Sequence, residues 1–174
     1  MSGLALRDDG VLVHDLPEPE SSPPRIPASA GALIFDLAGR LLLLKPTYKK
    51  RWTIPGGQIE ANGESPWEAC RREAREECGL EIVRGHLVCV DFLRPKPNRP
   101  GGMRFVFSCG TFTDTQLGAI TLQEDEVSDH RFEDPKHAVA LLSGPVGRRV
   151  SAALGAAGFV YLEDGQPLAA VKVL

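Results

Sequence analysis

A mixed α/β domain is what this sequence predicts, on three observations. Short β-rich apolar runs separated by Gly- and Pro-containing turns recur along the chain, residues 65–79 carry both ends of a helix, and further helical stretches follow near the C-terminus. With 174 residues, 43% hydrophobic and 25% charged, the chain has the size and composition of one domain with a full core. We place that domain at residues 29–174, behind a Pro-rich arm, residues 1–28, that holds Pro17, Pro19, Pro23, Pro24 and Pro27.

The elements follow in order. Gly10 to Leu16 has the pattern of a short strand within the arm. Ser29 to Asp36 is largely apolar, and after Leu37-Ala38-Gly39 the run Arg40 to Lys45 repeats the pattern, predicting a hairpin of two buried strands. Residues 51–54 predict a short strand ahead of Pro55-Gly56-Gly57. Leu80 to Leu93 is β-rich and is expected to pair with Met103 to Phe112 across a loop of prolines and glycines, since proline has no N–H to give a ladder. His130 to Glu133 reads as a strand, Pro135 to Leu142 and Val146 to Leu154 as helices, and Phe159 to Leu162 with Leu168 to Val173 as a hairpin around Asp164-Gly165.

The segment 65–79 is the most informative. Ser65 suits an N-cap, Pro66 the first helical position, Glu68 completes a capping box, and Gly79 supplies a left-handed stop. At about 100° per residue, Trp67, Cys70, Ala74 and Cys78 form one stripe and Glu73, Glu76 and Glu77 the adjacent arc. Those carboxylates repel one another by about 0.2–0.5 kcal/mol per pair on a solvated helix, and they lie toward the end where the helix dipole disfavours anions. Stability alone does not select this arrangement. A hard divalent cation such as Mg²⁺ reverses the sign of both terms, because it binds carboxylate and phosphate oxygens.

Glu64, seven residues, then Arg72-Glu73-Ala74-Arg75-Glu76-Glu77-Cys78-Gly79-Leu80 resembles the second part of the Nudix box, the signature of hydrolases that cleave a nucleoside diphosphate linked to another group. In the first part, six residues rather than five separate Gly57 from Glu64, an insertion expected to lengthen the turn and leave the helix intact. The resemblance implies the family's α/β/α sandwich with a mixed β-sheet. It implies metal ligation by Glu73, Glu76 and Glu77, by the Gly57 carbonyl and by Glu64, directly or through water, with Arg72 as structural support. Mg²⁺, with Mn²⁺ as the alternative, would neutralise the diphosphate and activate the attacking water. Glu76, Glu77 and Glu126 are the catalytic candidates; Glu126 is favoured over Glu124 because Asp125-Glu126-Val127 resembles an acidic pair and apolar residue found at this point in relatives. Lys49, Lys50 and Arg51 are candidate phosphate contacts, as are Arg94, Lys96 and Arg99 on the long loop.

Composition sets the remaining expectations. A net charge of −3 argues against a general nucleic-acid binder, and no apolar run approaches the ~18 residues of a membrane span. The N-terminus shows no basic segment followed by an apolar one, and Cys70, Cys78, Cys89 and Cys109 lack paired C-x-x-C spacing, so a cytoplasmic protein with buried thiols is expected. His14, His86, His130 and His137 form no ligand motif, and His130 is the one nearest the acidic run. The expected partner is a small-molecule diphosphate, with a homodimer left open. Two rivals are a prenyl-diphosphate isomerase, which needs a catalytic Cys and Glu facing the metal, and a non-catalytic nucleotide-binding module, which would have lost the carboxylates. Sugar nucleotides, ADP-ribose, oxidised nucleoside triphosphates and non-nucleotide diphosphates all remain open as substrates.

Overall fold

The computed structural model describes residues 25–171. Its core is an eight-stranded mixed sheet with helices on both faces, the sandwich expected from the sequence. The elements are β1 (Ala28–Phe35), β2 (Leu41–Pro46), β3 (Gly56–Gln58), α1 (Pro66–Cys78), β4 (His86–Leu93), β5 (Gly102–Thr111), α2 (Asp114–Leu117), β6 (Val127–Glu133), α3 (Pro135–Leu141), α4 (Gly144–Gly155), β7 (Val160–Glu163) and β8 (Gln166–Pro167). The strand order is β6-β2-β1-β5-β4-β7-β8, with β3 added to β1. The β1–β5 and β4–β7 pairs are parallel, the others antiparallel.

The predicted β1–β2 hairpin forms, but the two strands are paired only at Phe35 and Leu41. Beyond that point the segment after β2 lies between them. Leu44 and Thr53 exchange backbone hydrogen bonds of 2.9 Å, Ala32 donates to the Pro55 carbonyl, and β3 then pairs with Ser29–Gly31. The strand expected at 51–54 is therefore reduced to isolated bridges, and the ladder forms at Gly56–Gln58, in residues that read as a turn. Gly56 permits this: its φ is +145°, and a Cβ there would lie 2.3 Å from the Ala30 carbonyl oxygen.

Helix α1 has the expected bounds, with the Ser65–Glu68 capping box in place and Gly79 at φ 71°. Its buried Ala69, Cys70, Ala74 and Cys78 pack on Ala30, Ala32 and Ile34 of β1, and Trp67 meets Phe107 at 5.2 Å between ring centres. Small side chains on both partners bring helix and strand close, which sets the carboxylate arc of α1 against β3. On the other face Ala138 and Leu142 at the α3 end and Val150 and Ala153 of α4 pack on Leu33, Leu41, Leu43 and Val106. Each such buried Leu contributes about 1.5–3 kcal/mol.

Four boundaries differ from expectation. Residues 80–85 form no strand; Arg71 Nε donates to the Ile82 carbonyl and Gly85 lies under Trp67, so this stretch wraps the end of α1. Strand β6 starts at Val127 rather than His130, because its edge pairing with β2 extends to Pro46. The short helix α2, capped by Thr113 and Gln116, was not expected. In the last hairpin Asp164 (φ 52°) and Gly165 (φ 79°) turn the chain at once, so the return strand is Gln166–Pro167 instead of 168–173. The predicted strand at 10–16 lies outside the described residues, as do residues 172–174. Among the described residues no helix is long and apolar enough to cross a membrane.

Candidate active site

Glu77 is buried on α1, and its Oε2 accepts the Gly56 N–H at 2.7 Å. One turn earlier, Glu73 lies over the bare Cα of Gly57, where a Cβ would come within 2.4 Å of Glu73 Oε1. Both carboxylates line a cavity of about 450 Å³, together with Glu126, Lys49 and Tyr48. Glu126 is held in position by the loop after β2: the Thr47 N–H donates to the Glu126 carbonyl at 2.9 Å and Thr47 Oγ1 to the Asp125 carbonyl at 2.9 Å.

The field in this corner is strongly negative. Burial pushes the Glu77 pKa up to about 8, and the charges of Glu73 and Glu126 act in the same direction, against the Gly56 N–H and Lys49. Glu73 is also raised, first by burial, with Arg72 opposing and Glu76 and Glu126 adding. A second positive charge in this corner would relieve all three acids.

Arg72 organises the outer side of the arc. Its Nε and Nη2 hold Glu64 at 2.7 and 3.1 Å, its Nη1 holds Glu73 and Glu76 at 2.9 Å each, and Nη2 also reaches the Gln58 carbonyl at 2.9 Å. Glu64 in addition accepts the Glu60 N–H at 2.8 Å. The one-residue insertion is absorbed in this loop, where Asn62 Oδ1 accepts the Glu64 N–H and Gly63 takes φ 96°. Glu64 and Glu76 therefore sit on Arg72 and not on the cavity wall, and among the described residues no three His, Cys, Asp or Glu side chains converge as a ready ligand set.

The carbonyl expected from Gly57 also faces elsewhere. Ile59 N–H donates to Ala28 and Ala32 N–H to Pro55, so the antiparallel alternation turns the peptide groups of Gly57 toward Ala30. Those of Gly56 and Gln58 face away from β1, as the Gly56–Glu77 and Gln58–Arg72 bonds require. The carbonyls on the acidic side of this edge are those of Gly56 and Gln58, and Arg72 takes the second. Gly57 contributes instead the missing side chain that admits Glu73.

Of the three candidate phosphate contacts, Lys49 lines the cavity. Lys50 offers its carbonyl to Lys45, and Arg51 Nη1 donates to the Ala140 carbonyl at 3.2 Å. Arg94 is ion-paired with Glu163 and Asp164, Lys96 and Arg99 close the tip of their own loop, and His130 pairs with Leu44 on the sheet edge. All four cysteines are buried, with the thiols of Cys78 and Cys89 pushed up to about 12 by burial, and none lines the cavity. Sequence reasoning missed Tyr48, Arg104 and Arg149, which line the same cavity. The available signal for the arginines was Asp91, a lone acid inside the apolar run Val88–Leu93 that needs a cationic partner if buried.

A family model described as the NUDIX domain matches residues 25–154, and the chain belongs to that family. Among curated relatives, an isopentenyl-diphosphate Delta-isomerase of Mycolicibacterium vanbaalenii is 31% identical over 143 residues, 77% of each chain. A MutT-like protein of Streptomyces ambofaciens is 29% identical over 129 residues, covering 71% of this chain and 80% of the relative. The fold is shared with a MutT protein from Methanosarcina mazei (TM-score 0.62, 21% identity, 76% of this chain and 96% of that one). It is shared also with a C. elegans Ap4A hydrolase (TM-score 0.56, 24% identity, 74% and 98%). Family and fold together place the chain among the Nudix hydrolases, which in general cleave pyrophosphate linkages with the help of divalent metal ions.

Proposed function

We propose that this protein hydrolyses a diphosphate linkage in a nucleoside diphosphate joined to another group, with Mg²⁺ or Mn²⁺ bound at Glu73, Glu76, Glu77 and the Gly56 carbonyl. The observation that carries the reading is that Glu73, Glu77 and Glu126 all line one cavity, with Glu77 buried and its pKa raised to about 8. The donor set fits hard divalent cations, which take oxygen ligands and share them with phosphate. When bound, such ions supply charge neutralisation at the diphosphate and a lowered pKa for coordinated water.

The chain's own residues do the remaining work. Gly56 N–H fixes one oxygen of Glu77 and leaves the other toward the cavity. Glu76, whose side chain is 45% exposed and rests on Arg72, would hold the cation only by leaving that contact through a rotamer change. Arg72 keeps Glu64 and Glu73 oriented, so Glu64 acts through Arg72 and the metal shell is built without it. Glu126 lines the same cavity as Glu73 and Glu77 from a different loop, which supports it as the acceptor of the attacking water's proton. Lys49 adds a cation for the phosphate oxygens.

The isomerase relative sets the alternative, rearrangement of a prenyl diphosphate, whose chemistry calls for a thiol at the site. The burial of all four cysteines away from the cavity supports hydrolysis instead. A phosphate-release screen over nucleoside diphosphate derivatives with Mg²⁺ or Mn²⁺, run beside Glu77→Gln and an isomerisation assay with isopentenyl diphosphate, tests both. Metal-dependent hydrolysis abolished by Glu77→Gln is the expected result. Isomerisation without hydrolysis, or equal rates for wild type and variant, overturns the proposal.

A further inference from the structure

The cavity has a second, basic pole. Its floor is the first half of β1, and on the α4 face of the sheet it is lined by Arg104 of β5 and Arg149 of α4. Arg104 and Asp91 are cross-strand partners, and Asp91 is fully buried. Asp91 accepts the Gly165 N–H at 2.9 Å and Arg149 Nη1 at 3.1 Å.

The charges here do not balance. The Arg149 side chain is 11% exposed, lines the cavity and makes that single hydrogen bond, so its remaining N–H groups have no acceptor among the described residues. Arg104 donates to three backbone carbonyls, those of Pro27, Gly101 and Met103, and to no carboxylate. Burial, and next the like charges of Arg149 and Arg99, hold the Arg104 pKa below its ordinary value. Arg99 itself has a buried Nε with no acceptor among the described residues. Two guanidinium groups, those of Arg104 and Arg149, thus line the cavity beside one carboxylate, that of Asp91. A structural ion pair needs only Arg149 and Asp91; the guanidinium of Arg104 is surplus to it, and in a concave site that opens to the reacting centre the unused N–H groups of the two arginines suit an oxyanion.

We propose that Arg104 and Arg149 form an anion subsite that takes a phosphate monoester carried by the substrate at a distance from the diphosphate to be cleaved. The two poles belong to opposite faces of the sheet and line one cavity. A ligand that spans them sets its diphosphate against the α1 acids and its terminal phosphate against the guanidinium forks. Two guanidinium groups acting on one anion suit the three terminal oxygens of a phosphate monoester better than the two of a carboxylate. The proposal rests on the hydrolase reading for its substrate class, but the subsite itself needs no metal and no turnover.

The test uses the metal-free full-length chain in EDTA, titrated calorimetrically with inorganic phosphate and, separately, acetate. Saturable phosphate binding is expected, at least tenfold weaker in Arg104→Gln and in Arg149→Lys, and unchanged in Glu77→Gln. Arg149→Lys keeps a charge for Asp91, so folding is retained where Arg149→Gln would strand a buried acid. Absent phosphate binding, acetate bound as tightly as phosphate, affinity unaffected by both arginine substitutions, or an adventitious ion only, bound at molar concentrations, overturns the subsite. Phosphate binding of the expected kind without metal-dependent turnover would leave the subsite standing and remove the hydrolase reading.

Discussion

Replacing Glu77 by Gln separates what this residue costs the fold from what it does for metal. The buried carboxylate ionises at about 8 in the folded chain and at 4.5 when unfolded. Between those values the native state binds more protons than the unfolded state, so the stability of the metal-free protein falls as pH rises. At 1.36 kcal/mol per unit, the cost is under about 1 kcal/mol at pH 5 and about 4 kcal/mol at pH 8. Gln keeps the shape and the acceptor for the Gly56 N–H at 2.7 Å but never ionises. Metal-free Glu77→Gln is therefore expected to gain on wild type by roughly 3 kcal/mol between pH 5 and pH 8, about 6–12 °C in melting temperature for a domain of this size. Saturating Mg²⁺ reverses the order at pH 8, since the cation stabilises wild type alone. Thermal or urea unfolding at the two pH values, with EDTA and with Mg²⁺, measures all four quantities. If the difference between the proteins is the same at pH 5 and pH 8 without metal, the linkage argument fails.

Three further substitutions test the local geometry. Gly57→Ala places a methyl group against the end of the flexible Glu73 side chain; we expect stability within about 1 kcal/mol of wild type and a metal affinity, read by calorimetry, reduced at least tenfold. Gly56→Ala instead meets the backbone of β1 at a φ of +145°, and a loss of about 2–4 kcal/mol in denaturant unfolding is expected; near-wild-type stability would refute the tight β3–β1 approach. Arg72→Lys keeps the charge but loses the fork that serves Glu64, Glu73, Glu76 and the Gln58 carbonyl at once; about 1–3 kcal/mol of stability is expected to be lost, with the loss smaller when Mg²⁺ is present.

Local rules made α1 legible. Ser65, Pro66, Glu68 and Gly79 satisfy the helix ends by short-range hydrogen bonds, so its bounds follow from neighbours in sequence, and its period places three acids on one arc. The same holds for β1 and β2, whose apolar runs need burial on both faces. Legibility stopped where pairing is long-range. Nothing local says that Gly56–Gln58 forms a ladder with Ser29–Gly31, or that Asp164-Gly165 turns the chain back after two residues. Arg104 and Arg149 are separated by 45 positions and look like ordinary surface cations until β4, β5 and α4 bring them around Asp91.

What the sequence by itself determined was the acidic helix and the reaction class, because a motif of consecutive residues on one helix sets its own geometry. The tertiary structure decided which members of that motif face the cavity: Glu73 and Glu77 do, Glu64 and Glu76 rest on Arg72, and the outward carbonyl of β3 that Arg72 does not take belongs to Gly56. It also decided that Glu126, Lys49 and two arginines share the space. Those choices depend on strand register and on which face each residue occupies, and both are set by the burial of apolar partners far away in the chain.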